Sequence, residues 1–429
     1  MAACRRVSTR LLGSSAPFAP RQQIRRLSLH EYQSQDLLEK FVAHLSPQYD
    51  VPVSSGKVVR TAQDARKAAE ELGGKCIISP QILHSLQKNA SMAPISVDTP
   101  DQGHQTASKM LDSGPHGSQY PPVQQTYVSQ ALEAAEEWSL AMTIDRENYF
   151  PVVLVSKTKG TDVNSEVTSF PFAISQGITP ELLSRVSKHI IRDSRPSQAS
   201  TESLAKILNG LYKIFTEKDG TNLEITRLAR TATDGSFTCL STAFTFDAAA
   251  AKRQPELFAL RDVSQDVPEE IEAAQYGIVY VRMDGNIGNV VNGAGLAMAT
   301  NDAIGLYGGR SANFLDAGGQ ATKETMLKAF GIIMRDQRVR TIFVNIYGGK
   351  YFDLWLSFAA GITDGRMIAE SIIGAATELG PIKVPVVVRL QGTNSVEGLK
   401  LLDEAKLGIH VEAGFGEAAK MAVRLAAGQ

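Results

Sequence analysis

From Gly277 onward the chain sets short apolar runs against longer amphipathic ones. Ile278–Met283, Gly288–Val291, Asn313–Leu315, Thr341–Ile346 and Val384–Leu390 are mostly apolar runs of strand length. Between and after them, Leu296–Leu306, Thr322–Met334, Asp364–Glu378 and Gly416–Ala426 carry apolar residues at helical spacing. A strand that reads as a near-continuous apolar run is covered on both faces. Strands and helices taking turns at these lengths imply a parallel sheet. The C-terminal half is therefore predicted to be a doubly wound α/β domain.

The first half is less regular. Ser28 and Glu31 stand three apart, as in a capping box, and predict a helix that runs through Lys40. A second helix is predicted over Ala62–Leu72, stopped by Gly73-Gly74, with a short strand at Ile77-Ile78. Residues 84–126 are rich in Ser, Pro, Gln and His and show little periodicity, so no element is predicted there. A structureless stretch of that length is uncommon inside a compact domain, and it reads as a mobile insert or a degenerate segment. Thr126–Leu132, Glu137–Ile144 and Pro151–Ser156 read as strands; Glu181–Ile191 and Leu204–Thr216 read as helices. This is a mixed α/β pattern. Three segments result: a leader at 1–26, a first domain at 27–265 and a second at 266–429.

Composition narrows the class. A chain of 429 residues allows two or three domains. Its net charge of −1 offers no basic field for nucleic acid, and no apolar run is long enough for a membrane span. Cys4, Cys76 and Cys239 lie far apart, which argues against a disulfide framework or a zinc site. The N-terminus stands out. Residues 1–26 hold six arginines and no Asp, Glu or Lys, the pattern of a mitochondrial transit peptide. The predicted location is the mitochondrial matrix. Without those arginines acidic residues outnumber basic ones, so the basic arm serves addressing.

The candidate chemistry lies in glycine-rich loops after the predicted strands. Asn292-Gly293-Ala294-Gly295 sits between a strand and an apolar helix. Small residues there let a ligand approach the backbone, and a helix start presents free N–H groups and partial positive charge to a phosphate or carboxylate. The plain alternative is a tight turn with close packing. Met298 stands where a dinucleotide fingerprint would place its third glycine, so this is not that motif. Asp316-Ala317-Gly318-Gly319-Gln320, Tyr347-Gly348-Gly349 and Gln391-Gly392-Thr393-Asn394 repeat the arrangement. In doubly wound sheets ligands bind at the carboxyl ends of the strands, so these loops converge on one anion site. None of the seven histidines has the setting of a nucleophile, and His410, in an apolar strand, reads as a core residue.

Several stretches resemble the β subunit of succinate–CoA ligase, with a lean to its ADP-forming branch. They are Met283–Gly288, Asn292–Thr300, Ser311–Asp316, Val344–Gly349 and Val386–Asn394, with Leu29–Tyr32 similar to the family's start. The resemblance covers most of residues 27–427. It implies an ATP-grasp-like domain, here partly degenerate, followed by a doubly wound flavodoxin-like ligase domain. It implies an activity that interconverts succinate plus CoA with succinyl-CoA and couples this to ADP or GDP phosphorylation in the tricarboxylic acid cycle. It also implies an α partner that binds CoA and carries a phosphorylated histidine, with Mg2+ and ADP/ATP as cofactors. On that basis Asn292, Gly293, Gly295, Gly349, Gly361, Ile362 and Thr363 are the candidate succinate and phosphate residues. Two further readings stay open: a catalytically impaired subunit that scaffolds or regulates an α partner, and a related CoA ligase such as one acting on malate.

The chain departs from the family in the first half. Where the resemblance implies a lysine before a Gly-Gly-Arg-Gly loop, this chain has Ser79, and the glycines are gone. Glu-Ile-Asn-Pro becomes Glu224-Ile225-Thr226-Arg227, and a metal-binding aspartate becomes Ser241. Thr226 and Ser241 thus stand at the two magnesium positions. Lys350–Gly361 is an apolar insertion, Val42–Tyr49 a similar one, and the flanks of the first join cleanly without it. Such pieces fit a partner surface or an unspliced intron.

Overall fold

A computed structural model of the chain describes residues 26–41, 51–83, 93–112, 123–157, 167–191, 197–318, 322–348, 364–378, 380 and 382–428. They fall into two compact units, one within Ile24–Gln265 and one that includes Asp266–Gln429. Residues 1–25, 42–50 and 349–363 lie outside the described set, and with them nearly all of the leader and both insertions.

The first unit opens with β1 (Arg26–Ser28), α1 (Glu31–Asp36) and a π-helical turn at Leu37–Phe41. There follow β2 (Gly56–Val59), α2 (Ala62–Glu71), β3 (Cys76–Pro80), β4 (Ile95–Val97), α3 (Pro100–Asp112) and β5 (Thr126–Gln130). Next come β6 (Ala134–Asp145), β7 (Phe150–Lys157), β8 (Val167–Pro171), α4 (Pro180–Ile190), α5 (Gln198–Glu217), β9 (Gly220–Thr231), β10 (Phe237–Asp247) and α6 (Pro255–Phe258). Two antiparallel sheets result, ordered β2-β5-β3-β4 and β1-β10-β9-β6-β7-β8. The larger sheet buries Leu140, Met142, Val153, Leu223 and Ile225 in one core with Val186 of α4 and Leu204, Ile207, Leu208 and Leu211 of α5.

Two expectations fail here. Ser28 does not cap the first helix: it pairs with Thr245 as the end of β1. His30 takes the N-cap position, and its N–H donates to Gln33 Oε1 at 2.9 Å. Strand pairing outcompetes the local capping signal. The stretch 84–126 is not structureless either, since it contains β4 and α3. The contact of α3 with α2 is built from small residues. Ala107 is buried with Ala65 and Ala69, and a Cβ on Gly103 would meet Ala69 Cβ at 3.5 Å. A helix seated on Ala and Gly lacks the large apolar periodicity that a sequence pattern detects.

The second unit comprises α7 (Pro268–Gln275), β11 (Val279–Arg282), β12 (Ile287–Val291), α8 (Ala294–Leu306), β13 (Asn313–Asp316), α9 (Lys323–Arg335) and β14 (Thr341–Gly348). It ends with α10 (Gly365–Glu378), β15 (Val386–Gly392), α11 (Ser395–Glu404), β16 (Ile409–Val411) and α12 (Phe415–Ala426). Strands β12-β14-β15-β16 form a parallel sheet. β13 lies beside β12, held by Ala312 N–H to the Ile287 carbonyl at 2.7 Å and Ala317 N–H to the Val291 carbonyl at 2.9 Å. The chain order across the layer is thus 2-1-3-4-5, the flavodoxin-like arrangement. Both faces are covered. Met326, Phe330 and Ile333 of α9 with Ile368 and Ile372 of α10 cluster with Val290, Val344 and Val388. Ile304 of α8 and Ala418, Ala419 and Ala422 of α12 cluster with Ile287, Phe343 and Val387. His410 corrects a further expectation. It is exposed on edge strand β16 and is no core residue.

Candidate functional site

A 2-1-3-4-5 layer changes direction between its first and third strands, here β12 and β14. Their carboxyl ends are tied together by one side chain. Asn292 Nδ2 donates to the Tyr347 carbonyl at 2.9 Å, and Tyr347 N–H donates to Asn292 Oδ1 at 2.9 Å. The amide thus acts as an extra rung of the sheet just past its hydrogen-bonded end. Directly after it, Gly293 takes φ +94 and forms the N-cap of α8. That conformation suits glycine alone. The Gly293 N–H is already bound to Asp316 Oδ1 at 2.6 Å, which also accepts Gly318 N–H at 2.7 Å.

Intrahelical bonding in α8 begins with Ala297 N–H to the Gly293 carbonyl. The amides of Ala294, Gly295 and Leu296 therefore have no acceptor within the helix and leave partial positive charge at its start. A Cβ added at Gly293 or Gly295 would meet nothing within 4 Å. The close-packing explanation for these glycines is thereby removed. Ala294 and Gly295 are exposed, so the first turn of α8 is open to a ligand.

The base of the site is polar and buried. Thr300 Oγ1 donates to the Leu296 carbonyl at 2.7 Å and accepts from Asn345 Nδ2 at 2.9 Å. Asn345 Oδ1 in turn accepts from Arg389 Nη1 at 2.9 Å. Arg389 also bonds Gln391 Oε1 and the Ala413 carbonyl, so its hydrogen-bond partners are neutral acceptors. Burial holds this guanidinium below the usual arginine range, and its link to α8 runs through Asn345 and Thr300. At the neighbouring strand end, Gly392 has φ +96 and its Cβ position falls 1.6 Å from the Gly348 carbonyl oxygen. The backbones of β14 and β15 approach there as only glycine permits.

Of the residues singled out by sequence, the structure brings Asn292, Gly293 and Gly295 together at this point. Gly349, Gly361, Ile362 and Thr363 lie outside the described residues. Sequence reasoning missed Arg389 and Thr300. The available signal was one charged residue inside the apolar run Val386–Leu390.

The first unit holds a second polar cluster. Ser79 lies in β3 and Gln81 just after it; Ser241 lies in β10 and Arg227 in β9, opposite one another. All four surround Glu31 at the start of α1. Burial pushes the Glu31 carboxyl up, while hydrogen bonds from Ser241, Gln81 and Ser79 and the charge of Arg227 oppose the rise. Strand β9 carries one extra residue here: Leu228 faces Trp138 and Ile225 faces Leu140, so Thr226 and Arg227 oppose Ser139 alone. Bulges of this kind cluster beside active sites, where they re-aim side chains. The side chain so aimed is Arg227, whose Nε and Nη2 donate to Glu137 Oε2 and Oε1 at 3.1 and 2.7 Å.

Magnesium takes hard oxygen ligands, chiefly carboxylates, phosphates and water. At the two positions that the resemblance implies for the ion, this chain offers the neutral hydroxyls of Thr226 and Ser241, with the Arg227 guanidinium beside Ser241 across the strands. Among the described residues no three His, Cys, Asp or Glu side chains gather as a metal group. The donor set does not fit the ion.

Comparison with known proteins gives the class first. Residues 28–230 match a family model described as an ATP-grasp domain, and residues 290–423 match one described as a CoA-ligase. An ATP citrate lyase from Methanothrix soehngenii shares the fold, with a TM-score of 0.63 at 15% identity over 94% of this chain and 100% of that one. The architecture is that of the nucleotide-dependent CoA ligases. Relatives make the assignment specific. A mitochondrial GDP-forming succinate–CoA ligase β subunit of Dictyostelium discoideum is 33% identical, covering 97% of both chains. An ADP-forming β subunit of Paraburkholderia phytofirmans is 35% identical over 94% of this chain and all of that one. The chain belongs to the family of succinate–CoA ligase β subunits. That family includes ADP- and GDP-forming members, mitochondrial in the eukaryotic relatives, and uses nucleotide and Mg2+ in general.

Proposed function

We propose that this chain is the β subunit of a mitochondrial succinate–CoA ligase and works with an α partner that binds CoA and carries the phosphorylated histidine. The observation that carries the reading is the open first turn of α8, fixed at the switch point by the two-way bond between Asn292 and the Tyr347 backbone. In this reading Asn292 and Gly293 fix the first turn of α8, with Gly295 in it, against the phosphoryl group or the succinate carboxylate, and Gly349, Gly361, Ile362 and Thr363 are the further candidate substrate residues. The amides of Ala294, Gly295 and Leu296 supply donors where negative charge gathers. Arg389, whose hydrogen bonds go to neutral acceptors, is linked to the helix through Asn345 and Thr300 and adds positive charge to the base of the site.

The partner's place is supported by α8 itself. Ala294–Leu306 is apolar around most of its circumference, yet only Ala297, Thr300 and Ile304 are buried, and Leu306 is 80% exposed. A helix apolar on all sides belongs in an interior, which a partner subunit would complete. The arginine-rich leader supports import into mitochondria.

Co-expression with an α subunit tests the reading. A stable one-to-one complex that consumes succinyl-CoA in the presence of phosphate supports it. A chain that stays alone, or a complex inert towards succinyl-CoA, overturns it. Faster consumption of malyl-CoA would move the substrate to malate.

A further inference from the structure

Glu31, Ser79, Gln81, Arg227, Ser241 and Glu137 form a polar cluster in the first unit, and the ligase reading gives them no work. Two of these residues, Ser79 and Ser241, stand where the resemblance implies nucleotide and metal contacts. In this chain they turn inward onto one carboxylate instead, Glu31. Gln81 Nε2 joins them, 3.4 Å from Glu31 Oε2.

Arg227 is held by a bidentate bond to Glu137, the geometry that fixes a guanidinium most firmly. Ser241 is its cross-strand partner, and Thr226 is its neighbour in the same bulge. The guanidinium therefore stands next to both positions at which a magnesium ion would need ligands. It already supplies positive charge to Glu137 and Glu31, the carboxylates that a dication would otherwise attract. We propose that Arg227 is a built-in replacement for the divalent cation, so that the ATP-grasp half of this chain is metal-independent and recruits no Mg2+ at Thr226 and Ser241. A guanidinium keeps its charge at any physiological pH and needs no supply of ion. The bulge that aims the residue is retained, while the ligand chemistry has been exchanged.

The inference concerns cation binding alone and uses no activity readout, so its failure is separate from failure of the ligase reading. The test is titration of Mn2+, a spectroscopically visible stand-in for Mg2+, into the purified complex with and without ADP, followed by paramagnetic resonance and thermal denaturation. The unaltered protein is expected to show no saturable Mn2+ site, and EDTA should leave its denaturation midpoint unchanged. The triple variant Thr226→Asn, Arg227→Gln, Ser241→Asp is expected to gain one site, at least tenfold tighter than any residual binding. If the triple variant does not fold, the double variant Arg227→Gln, Ser241→Asp reads the same gain. ADP binding that persists in EDTA also supports the proposal. One saturable Mn2+ per chain in the unaltered protein overturns it, as does a folded variant that gains no Mn2+.

Discussion

Truncating Asn292 separates the cost in stability from the cost in function. The side chain makes two hydrogen bonds of 2.9 Å, both to the peptide of Tyr347. A net hydrogen bond contributes about 1 kcal/mol, so Asn292→Ala removes at most about 2 kcal/mol. Both bonds lie near the surface, where water can take over the freed Tyr347 groups, and the expected loss is nearer 1 kcal/mol. That is a small part of a domain's stability. The functional loss is larger because the bond sets the spacing of β12 and β14 and, through Gly293, the aim of α8. A misplacement of about 1 Å can cost on the order of a hundredfold in rate. Asn292→Ala is therefore expected to unfold at nearly the same urea concentration while succinyl-CoA consumption by the αβ complex falls about a hundredfold. Asn292→Asp keeps the acceptor for Tyr347 N–H, loses the donor and adds negative charge beside the anion site, so it should be at least as slow. Activity within about threefold of the unaltered complex would refute the reasoning. So would a stability loss above about 4 kcal/mol with activity falling in parallel, because the residue would then be structural.

Two glycines of nearly equal φ should respond very differently to alanine. Gly293→Ala meets open space and carries only the conformational penalty, about 1–2 kcal/mol, whereas Gly392→Ala drives a methyl into the Gly348 carbonyl and should cost more than about 4 kcal/mol or prevent folding; chemical denaturation ranks them, and equal losses would contradict the close approach of β14 and β15. The buried His30 imidazole bonds Asp262 at 2.8 Å. Burial raises the Asp262 carboxyl, but hydrogen bonds from Ser264 and His30 outweigh it, and the net shift is downward. A depressed carboxylate contributes its stability above the unfolded value near 4 and loses it as pH falls through the folded one. Asp262→Asn should thus cost about 1–2 kcal/mol at pH 7, with the difference from the unaltered protein closing in denaturation curves below about pH 4. A gap that widens in acid would reverse the sign.

Legibility followed burial geometry. In the second unit the central parallel strands β14 and β15 are covered on both faces, so Thr341–Ile346 and Val386–Leu390 stand out as apolar runs between helices. The site was legible for the same reason: Asn292–Gly295 falls between such a strand and a helix. Tyr347 contributes backbone groups, which leave no mark in residue identity. The weakly buried α11 left no pattern, and the apolar run around His410 gave β16 as a strand but misplaced it in the core. α11 packs through Gly398, whose Cβ position lies 2.4 Å from the Gly365 carbonyl, and β16 is largely exposed. In the first unit β9 alternates through Leu223 and Ile225, then shifts to Leu228 at the bulge. The irregularity that aims Arg227 is the one that breaks the strand's periodicity. The ion pair of Arg227 with Glu137 and the closing of Ser79 and Ser241 around Glu31 join residues up to 210 positions apart, beyond the reach of any local pattern.

The central claim is that α8's first turn receives phosphate in concert with a partner's histidine, and that the ligase half can do so without a nucleotide. Incubating the αβ complex with succinyl-CoA and radiolabelled inorganic phosphate, with no nucleotide present, tests it most directly. The account predicts acid-labile label on a histidine of the α partner, reduced about a hundredfold in the Asn292→Ala complex. An assembled complex that takes up no label, or labels equally with Asn292→Ala, would contradict it.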